Sequence, residues 1–470
     1  MARPRVVLYN PRAVFYTMPL ALVALASALD RDRVDVEIID GRLEVDPVSA
    51  VVKAADGALC VGVTVLTGAP IHDALAVSRA VKLAHPTCPV VWGGWHPSLF
   101  AGECLAEPSV DIVVTGQGED TFREIVERLV SGTDVAGCAG TTARTRAGET
   151  LSAEARPLRD LNDLPSHDYS LIPVASYFAL KGARQIDYIS SQGCRFRCAF
   201  CADPAVFSRA WTGLQPERIA DEVAWLHKTY DMADLAFQDE TFFTHSKRVD
   251  AMADAFLRRA LPITWTATLR ADQACRLGDD LFAKTVRSGL RRVMVGVESG
   301  SQEMLDRLKK DMTIDQVRQA ADLCTRHGVG AIFNFIVGFP GESEASMQAT
   351  LSLAKQLRQS NPDFDTPIFY YRPYPGNPMA DQSAALGYVF PRGLEAWADF
   401  DYVGGRGPWM TADRWQTVER FKFYTRHAWK PGAWRWPLRA SARWRCDHDW
   451  YHLPVEKLLV EWVRPPQQVS

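Results

Sequence analysis

The run Tyr188-Ile-Ser-Ser-Gln-Gly193-Cys194-Arg-Phe-Arg-Cys198-Ala-Phe200-Cys201 decides how the second half of this chain reads. A short apolar strand leads directly into a loop that carries three thiols, spaced C-x3-C-x2-C. Thiols at that spacing can wrap one side of a [4Fe–4S] cluster and leave the fourth iron without a protein ligand. An open coordination position of this kind belongs to catalytic rather than closed structural metal sites. A zinc knuckle or three buried thiols would be the plainer readings. Zinc wants a fourth ligand, however, and the nearest candidate, Asp203, suits a thiolate-rich site poorly.

Downstream, strand and helix patterns alternate. A helix is expected around Pro216–Tyr230, then a strand Leu235–Gln238 ending in Asp239-Glu240-Thr241-Phe242. The alternating run Ile263–Leu269 is followed by Arg270-Ala-Asp272, and the strand from Val293 ends in Glu298-Ser299-Gly300-Ser301. Next come Ile332–Val337 with Gly338-Phe-Pro-Gly341-Glu342, and Pro367–Arg372 with the turn Pro375-Gly-Asn-Pro378. Together with the cysteine loop, these motifs in this order resemble the radical S-adenosylmethionine (SAM) enzymes. The resemblance implies a partial (β/α)6 barrel with SAM across its open top. It also implies reductive cleavage of SAM to methionine and a 5′-deoxyadenosyl radical, fed by an electron donor such as flavodoxin or ferredoxin.

Residue by residue, the resemblance gives Cys194, Cys198 and Cys201 to the cluster, SAM's amino and carboxylate groups chelating the open iron. Asp239 and Glu240 would receive the SAM ammonium, where a charge-assisted hydrogen bond helps hold it. Arg270 would meet the SAM carboxylate bidentately, a role arginine suits better than lysine. Glu298 and Ser299 would bond the ribose or the amino-acid part, and the segment at Gly338 would flank adenine.

Upstream, five short Val- and Ile-rich strands are expected at 5–9, 34–39, 58–65, 90–92 and 112–115, with helices near 18–29, 47–55, 70–84 and 118–131. Apolar strands separated by helices predict a parallel sheet buried on both faces, with ligands beyond the carboxyl ends of its strands. Those ends carry Thr64, Thr67 and Gly68, Gly93-Gly94-Trp-His96-Pro, and Thr115-Gly116-Gln-Gly118-Glu119. Glycine there permits positive φ and close backbone approach to a bulky ligand. The order resembles the cobalamin-binding domain found ahead of many radical SAM modules. That resemblance directs Thr64, Thr67, Gly68, Gly93, Gly94, Thr115, Gly116 and Gly118 to cobalamin. The Asp-x-His-x-x-Gly motif that supplies a cobalt ligand in methionine-synthase-like domains is absent, so His96 is expected in a structural or rim role.

The expected fold class is α/β: an N-terminal doubly wound, Rossmann-like parallel sheet, a partial (β/α)6 radical SAM barrel and a small, mostly helical C-terminal region. The divisions are 1–135, a linker over 136–185 with a hairpin near Ala147-Gly148, 186–385, and 386–470. The 470 residues carry a formal charge of −3, which does not suggest a nucleic-acid binder. The other seven cysteines show no paired spacing, which argues against a secreted disulfide framework. Arg3, Arg5 and Arg12 ahead of the apolar run 18–28 imitate a signal peptide, but the strand before that run favours a buried first helix. A cytoplasmic setting follows, and it suits an oxygen-sensitive cluster.

Residues 419–446 hold eight Lys or Arg against the single acid Glu419, interleaved with Trp429, Trp434, Trp436 and Trp444. This mixture suits an anionic, amphipathic or lipid-like substrate, or peripheral membrane contact through Trp434, Arg435, Trp436, Arg439 and Arg443; a solvated helix with inward tryptophans is the alternative. The expected activity is cobalamin-dependent methylation of an unactivated carbon in a small molecule. Radical cyclisation or rearrangement without methyl transfer is the alternative, and a non-catalytic corrinoid-binding protein the remote one.

Overall fold

The computed structural model describes residues 3–13, 16–145, 147–400, 406–429 and 436–463, without side-chain detail for Trp436 and 461–463. Seven strands build the first sheet: β1 (Arg5–Asn10), β2 (Asp35–Asp40), β3 (Ala58–Thr64), β4 (Val90–Gly93), β5 (Ile112–Val114), β6 (Thr141–Arg144) and β7 (Thr150–Ser152). Their order is β2-β1-β3-β4-β5-β6-β7. The first five pair in parallel, and the β6–β7 hairpin adds antiparallel at the β5 edge. The order reverses between β1 and β3, which places the switch point of a doubly wound sheet there. Side chains alternate between two cores. Val7, Tyr9, Val61 and Val63 face one layer, while Val6, Leu8 and Cys60 face the other. That two-sided burial is why these strands read as continuous apolar runs.

The apolar stretch after β1 is the helix Leu20–Ser27, with Leu20, Leu22, Val23, Ala24 and Ala26 buried, as the strand–turn–helix reading expected. Among the described residues no helix is long and apolar enough to cross a membrane.

The second sheet holds β8 (Gln185–Tyr188), β11 (Asp234–Phe237), β12 (Thr264–Leu269), β13 (Leu290–Glu298), β14 (Gly330–Val337), β15 (Phe364–Asp365) and β16 (Ile368–Tyr370). Between β8 and β11 lies a small antiparallel pair, β9 (Ser191–Gly193) with β10 (Trp211–Gly213). All pairings of the larger sheet are parallel and run in chain order, the topology of a six-stranded partial barrel. Its sixth position is split: β15 pairs with the start of β14 and β16 with its end. Pro367, which has no N–H to give the ladder, lies at the break.

Two connections fix how the sheets meet. Asp187 of β8 is buried, and its carboxylate accepts the Met18 N–H (2.7 Å), Lys181 Nζ (2.6 Å) and Gln238 Nε2 (2.8 Å). The C-terminal region returns to the first domain through the short helix Leu394–Ala398. Its Leu394 and Trp397, with Phe400 beyond, join the core around β1 and β3. The remaining described C-terminal residues form helices Ala412–Ala428, Trp436–Asp447 and Val455–Val463. Trp434 and Arg435 of the proposed membrane face lie outside the described residues, whereas Arg443 and Trp444 are exposed.

Candidate active site in the cleft between the two sheets

The cysteine loop begins at Gly193, whose φ of +81° is one glycine tolerates; a Cβ there would sit 2.3 Å from the Ala210 carbonyl oxygen. Beyond it, Ala199 is held on both sides: its N–H donates to Leu308 O (2.8 Å) and its carbonyl accepts Met379 N–H (3.1 Å). Cys194, Cys198 and Cys201 are half-buried free thiols. Asp203 N–H points at Cys201 Sγ (3.5 Å), and Arg270 Nη1 approaches Cys198 Sγ (3.8 Å). The Arg270 guanidinium also lies 3.7 Å from the Phe196 ring centroid and bonds Asp272 and the Lys310 carbonyl. Arg270 is therefore spent on the cysteine loop and its surroundings.

Asp239 and Glu240 divide. The Asp239 carboxylate is buried and accepts Ser190 N–H, Ser190 Oγ and Ser191 Oγ, which ties β11 to the turn before the cysteines. Glu240 opens into the cleft and accepts the Gly193 N–H at 3.2 Å. Water reaches it, but protein atoms surround it closely; this burial, with Asp203 and Asp239 nearby, pushes it up to about 7. Asp203 is buried beside the thiols with neither carboxylate oxygen bonded, and burial lifts it to about 6. Glu298, at φ +68°, is buried against Lys310 Nζ at 2.6 Å. Ser299 Oγ meets Thr350 Oγ1 at 3.1 Å. Gly338, at φ +76°, donates its N–H to Glu342 and accepts from Trp409 Nε1. These three shape the strand ends through contacts within the protein.

Facing the cysteine loop, the strand ends of the first sheet form the other wall. One open cleft, with about 1440 Å³ of free space including its solvent mouth, is lined by Thr64, Gly93, Gly94, Gly116 and Gly118 on one side. Gln192, Phe207 and Glu240 line the other. Gly94 has φ +101°, and a Cβ there would press on Val65 backbone at 3.1 Å. Thr67, Gly68 and Thr115 stand outside the lining: Thr67 bonds His96 Nδ1 (3.1 Å) and Thr115 bonds the Gly140 carbonyl. His96 is wholly buried against Phe100 and Trp397, and burial pushes it down to about 4, so it is a neutral core imidazole turned from the cleft. Two contacts bridge the walls, Gln117 Nε2 to Gln192 Oε1 (2.9 Å) and the Trp95 ring edge-on to Phe207.

Sequence reasoning had not marked Gln117, Trp95, Gln192 or Phe207. Gln117 and Trp95 lie inside motifs it quoted, but only the fold shows that they face the barrel. Among the described residues no three Cys, His, Asp or Glu side chains are drawn together as a metal site. That includes the C-terminal Cys446, His448 and His452; Cys194, Cys198 and Cys201 share one loop as half-buried thiols.

Comparison with known proteins agrees with this architecture. The B12 binding domain family matches residues 8–126, and the Radical SAM superfamily matches 188–354. The chain is 32% identical over 395 residues to an uncharacterized methyltransferase of Pyrococcus horikoshii, covering 82% of each. It is 24% identical to the cytidylyl-2-hydroxyethylphosphonate methyltransferase of Streptomyces wedmorensis, over 82% of this chain and 83% of that one. Among solved structures, the radical SAM methyltransferase TsrM of Kitasatospora setae superposes with a TM-score of 0.69 at 20% identity, covering 82% of this chain and 77% of that one. The cobalamin-dependent radical SAM enzyme OxsB gives 0.65 at 20% identity, over 82% and 55%.

The chain belongs to the cobalamin-dependent radical SAM enzymes. It is an enzyme of that family, and its cofactors are a [4Fe–4S] cluster, SAM and cobalamin. The residues present fit these groups. Three free thiols share one loop, a buried carboxylate at Asp203 has no partner, and glycine backbone forms the cleft wall.

Proposed function

We propose that this enzyme methylates an unactivated carbon of a small molecule bound in the cleft between its two sheets. The observation that carries this reading is a single cleft lined by Gly94 and Gly116 on one wall and by Glu240, beside the cysteine loop, on the other. Two cofactors that act on one substrate must face one cavity. When bound, SAM at the reduced cluster supplies a hydrogen-abstracting radical, and cobalamin supplies the methyl group.

In this reading Cys194, Cys198 and Cys201 hold the cluster, and Arg270 steadies Cys198 while packing on Phe196. Glu240 takes the SAM ammonium, Asp239 fixes the serines beneath it, and Glu298, Ser299 and Gly338 set the shape of the SAM wall. Thr64, Gly93, Gly94, Gly116 and Gly118 form the cobalamin floor, with Thr67, Gly68 and Thr115 holding the loops behind it. Electrons come from a flavodoxin- or ferredoxin-like donor in a reducing cytoplasm. Named relatives act on chemically unrelated molecules, from that phosphonate nucleotide to a hopanoid, so none of their substrates is carried over. Other relatives are anaerobic magnesium-protoporphyrin IX monomethyl ester cyclases, which keeps cyclisation as the second reading.

Anaerobic reconstitution tests the assignments. Wild-type protein should load one [4Fe–4S] cluster, release 5′-deoxyadenosine from SAM and take up hydroxocobalamin stoichiometrically. The Cys194→Ala, Cys198→Ala, Cys201→Ala triple variant should lose iron and SAM cleavage; normal cleavage by it would overturn the cluster assignment. Gly93 has ordinary φ and its Cβ would meet Val114 at an unstrained 3.6 Å, so Gly93→Leu should fold. It should load iron normally yet take up at least about tenfold less cobalamin.

A further inference from the structure

Below the barrel, far along the chain from the cofactor cleft, is a second concavity with about 600 Å³ of free space, its solvent mouth again included. Its walls come from the end of helix Glu344–Ser360, the end of helix Ala412–Ala428 and the first turns of helix Trp436–Asp447. Arg358, Arg439 and Arg443 line it together with Gln359 and Trp429. Among the described residues none of the three arginines makes an ion pair, and only Arg358 has a hydrogen bond, to the Pro362 carbonyl at 3.1 Å. The carboxylate bonded into the wall, Asp447, accepts the Gln359 amide at 3.4 Å rather than an arginine.

This arrangement is unfavourable unless something neutralises it. Arg358 is 8% exposed, so its guanidinium has lost most of its water; Asp365 and Asp363 offset this only from a distance, without pairing with it. Arg439 and Arg443 lie four residues apart on one helix face, where like charges repel. The ends of the two longer helices offset part of the cost, because cations near a helix C-terminus are favoured. That accounts for Arg358, which already bonds a carbonyl there. It does not account for Arg439, on the first turn of its helix, where the dipole favours an anion instead, nor for Arg443 in mid-helix.

We propose that this cavity binds a phosphate group, gripped by Arg358, Arg439 and Arg443. Guanidinium groups match a tetrahedral oxyanion with paired hydrogen bonds, and the Trp429 indole gives the cavity an apolar side against which the rest of a phosphorylated molecule can lie. The site is independent of the cofactor assignments, so its failure would leave them standing.

The test uses the full-length protein titrated calorimetrically with inorganic phosphate against chloride at matched ionic strength. Arg439→Gln/Arg443→Gln serves as the control, since these side chains are not part of the buried core. Saturable phosphate binding, weakened about tenfold or more in the double variant, supports the site. Vesicles of phosphatidylcholine with and without phosphatidic acid then separate the sources. Adsorption that needs phosphatidic acid and is displaced by free phosphate gives a lipid headgroup; phosphate binding without adsorption gives a soluble phosphorylated ligand. Phosphate heats no different from chloride, or unchanged affinity in the double variant, would overturn the proposal and leave Arg358 as a helix-end cap and Arg439 and Arg443 as solvated cations.

Discussion

Glu342 stands at the exit of β14, buried, with Gly338 N–H donating to its Oε2 at 2.6 Å while Oε1 has no partner. Burial outweighs that bond and the nearby Arg414, and lifts its pKa from 4.5 to about 7. The folded protein therefore keeps this proton through a range in which the unfolded chain has lost it. Stability from this group is present below about pH 4.5 and is lost as the pH rises through about 7. A shift of that size is worth roughly 3 kcal/mol. Glu342→Gln should flatten the decline in stability between those pH values by up to about that amount, read by urea denaturation of both proteins across the range. An unchanged pH slope in the variant would show that Glu342 is ionised in the folded state. The sequence supplied this residue only as part of Gly-Phe-Pro-Gly-Glu. Its unpartnered oxygen depends on what packs over the strand end, which no local pattern encodes.

At the scale of elements, Asp187 is where β8 meets the approach to the first helix. It takes the Met18 backbone N–H and the Lys181 ammonium within one buried carboxylate, Lys181 itself being mostly buried. Asp187→Ala would leave a buried ammonium and a buried N–H unpaired, and should cost about 3–5 kcal/mol in denaturant unfolding. A loss below about 1 kcal/mol would mean that water replaces the carboxylate.

Elements of this kind were mostly legible beforehand. The helices at 47–54, 70–84 and 119–131 and the strands β1 to β5 fall where apolar periodicity put them, because each buries a continuous or striped apolar face. The hairpin around Gly148 was foreseen too, though not that it extends the first sheet. What periodicity cannot give is aim. Asp239 and Glu240 are adjacent, yet one is bonded inside the barrel and the other opens to the cleft. Among the strand-end residues, Thr64 and Gly116 line the cleft, while Thr67 and Thr115 turn to protein partners. Such choices follow from twist and from contacts made by segments distant in the chain.

Over the whole molecule, the helix Leu394–Ala398 closes the longest loop of contacts described here. Trp397 is buried among residues of the first domain, Arg79 pairs with Glu395 at 2.6 Å, and His72 with Asp399 at 2.9 Å. Both contacts are exposed and contribute little; the indole carries the attachment. Trp397→Ala should cost about 3–5 kcal/mol and raise amide exchange across β1 and β3, while iron loading at the cysteine loop stays normal. Unaltered exchange in those strands would show that the segment merely rests on the surface.

This return of the chain also bears on recombination. A family that joins a cobalamin domain to a radical barrel looks, along the sequence, like two interchangeable cassettes. Here the first of them is completed by residues that follow the second. A chimera that replaces residues 1–135 with a relative's domain would inherit a socket shaped for another plug, unless the segment around Trp397 is exchanged with it. Inheritance in this protein would thus travel in matched, non-contiguous pieces.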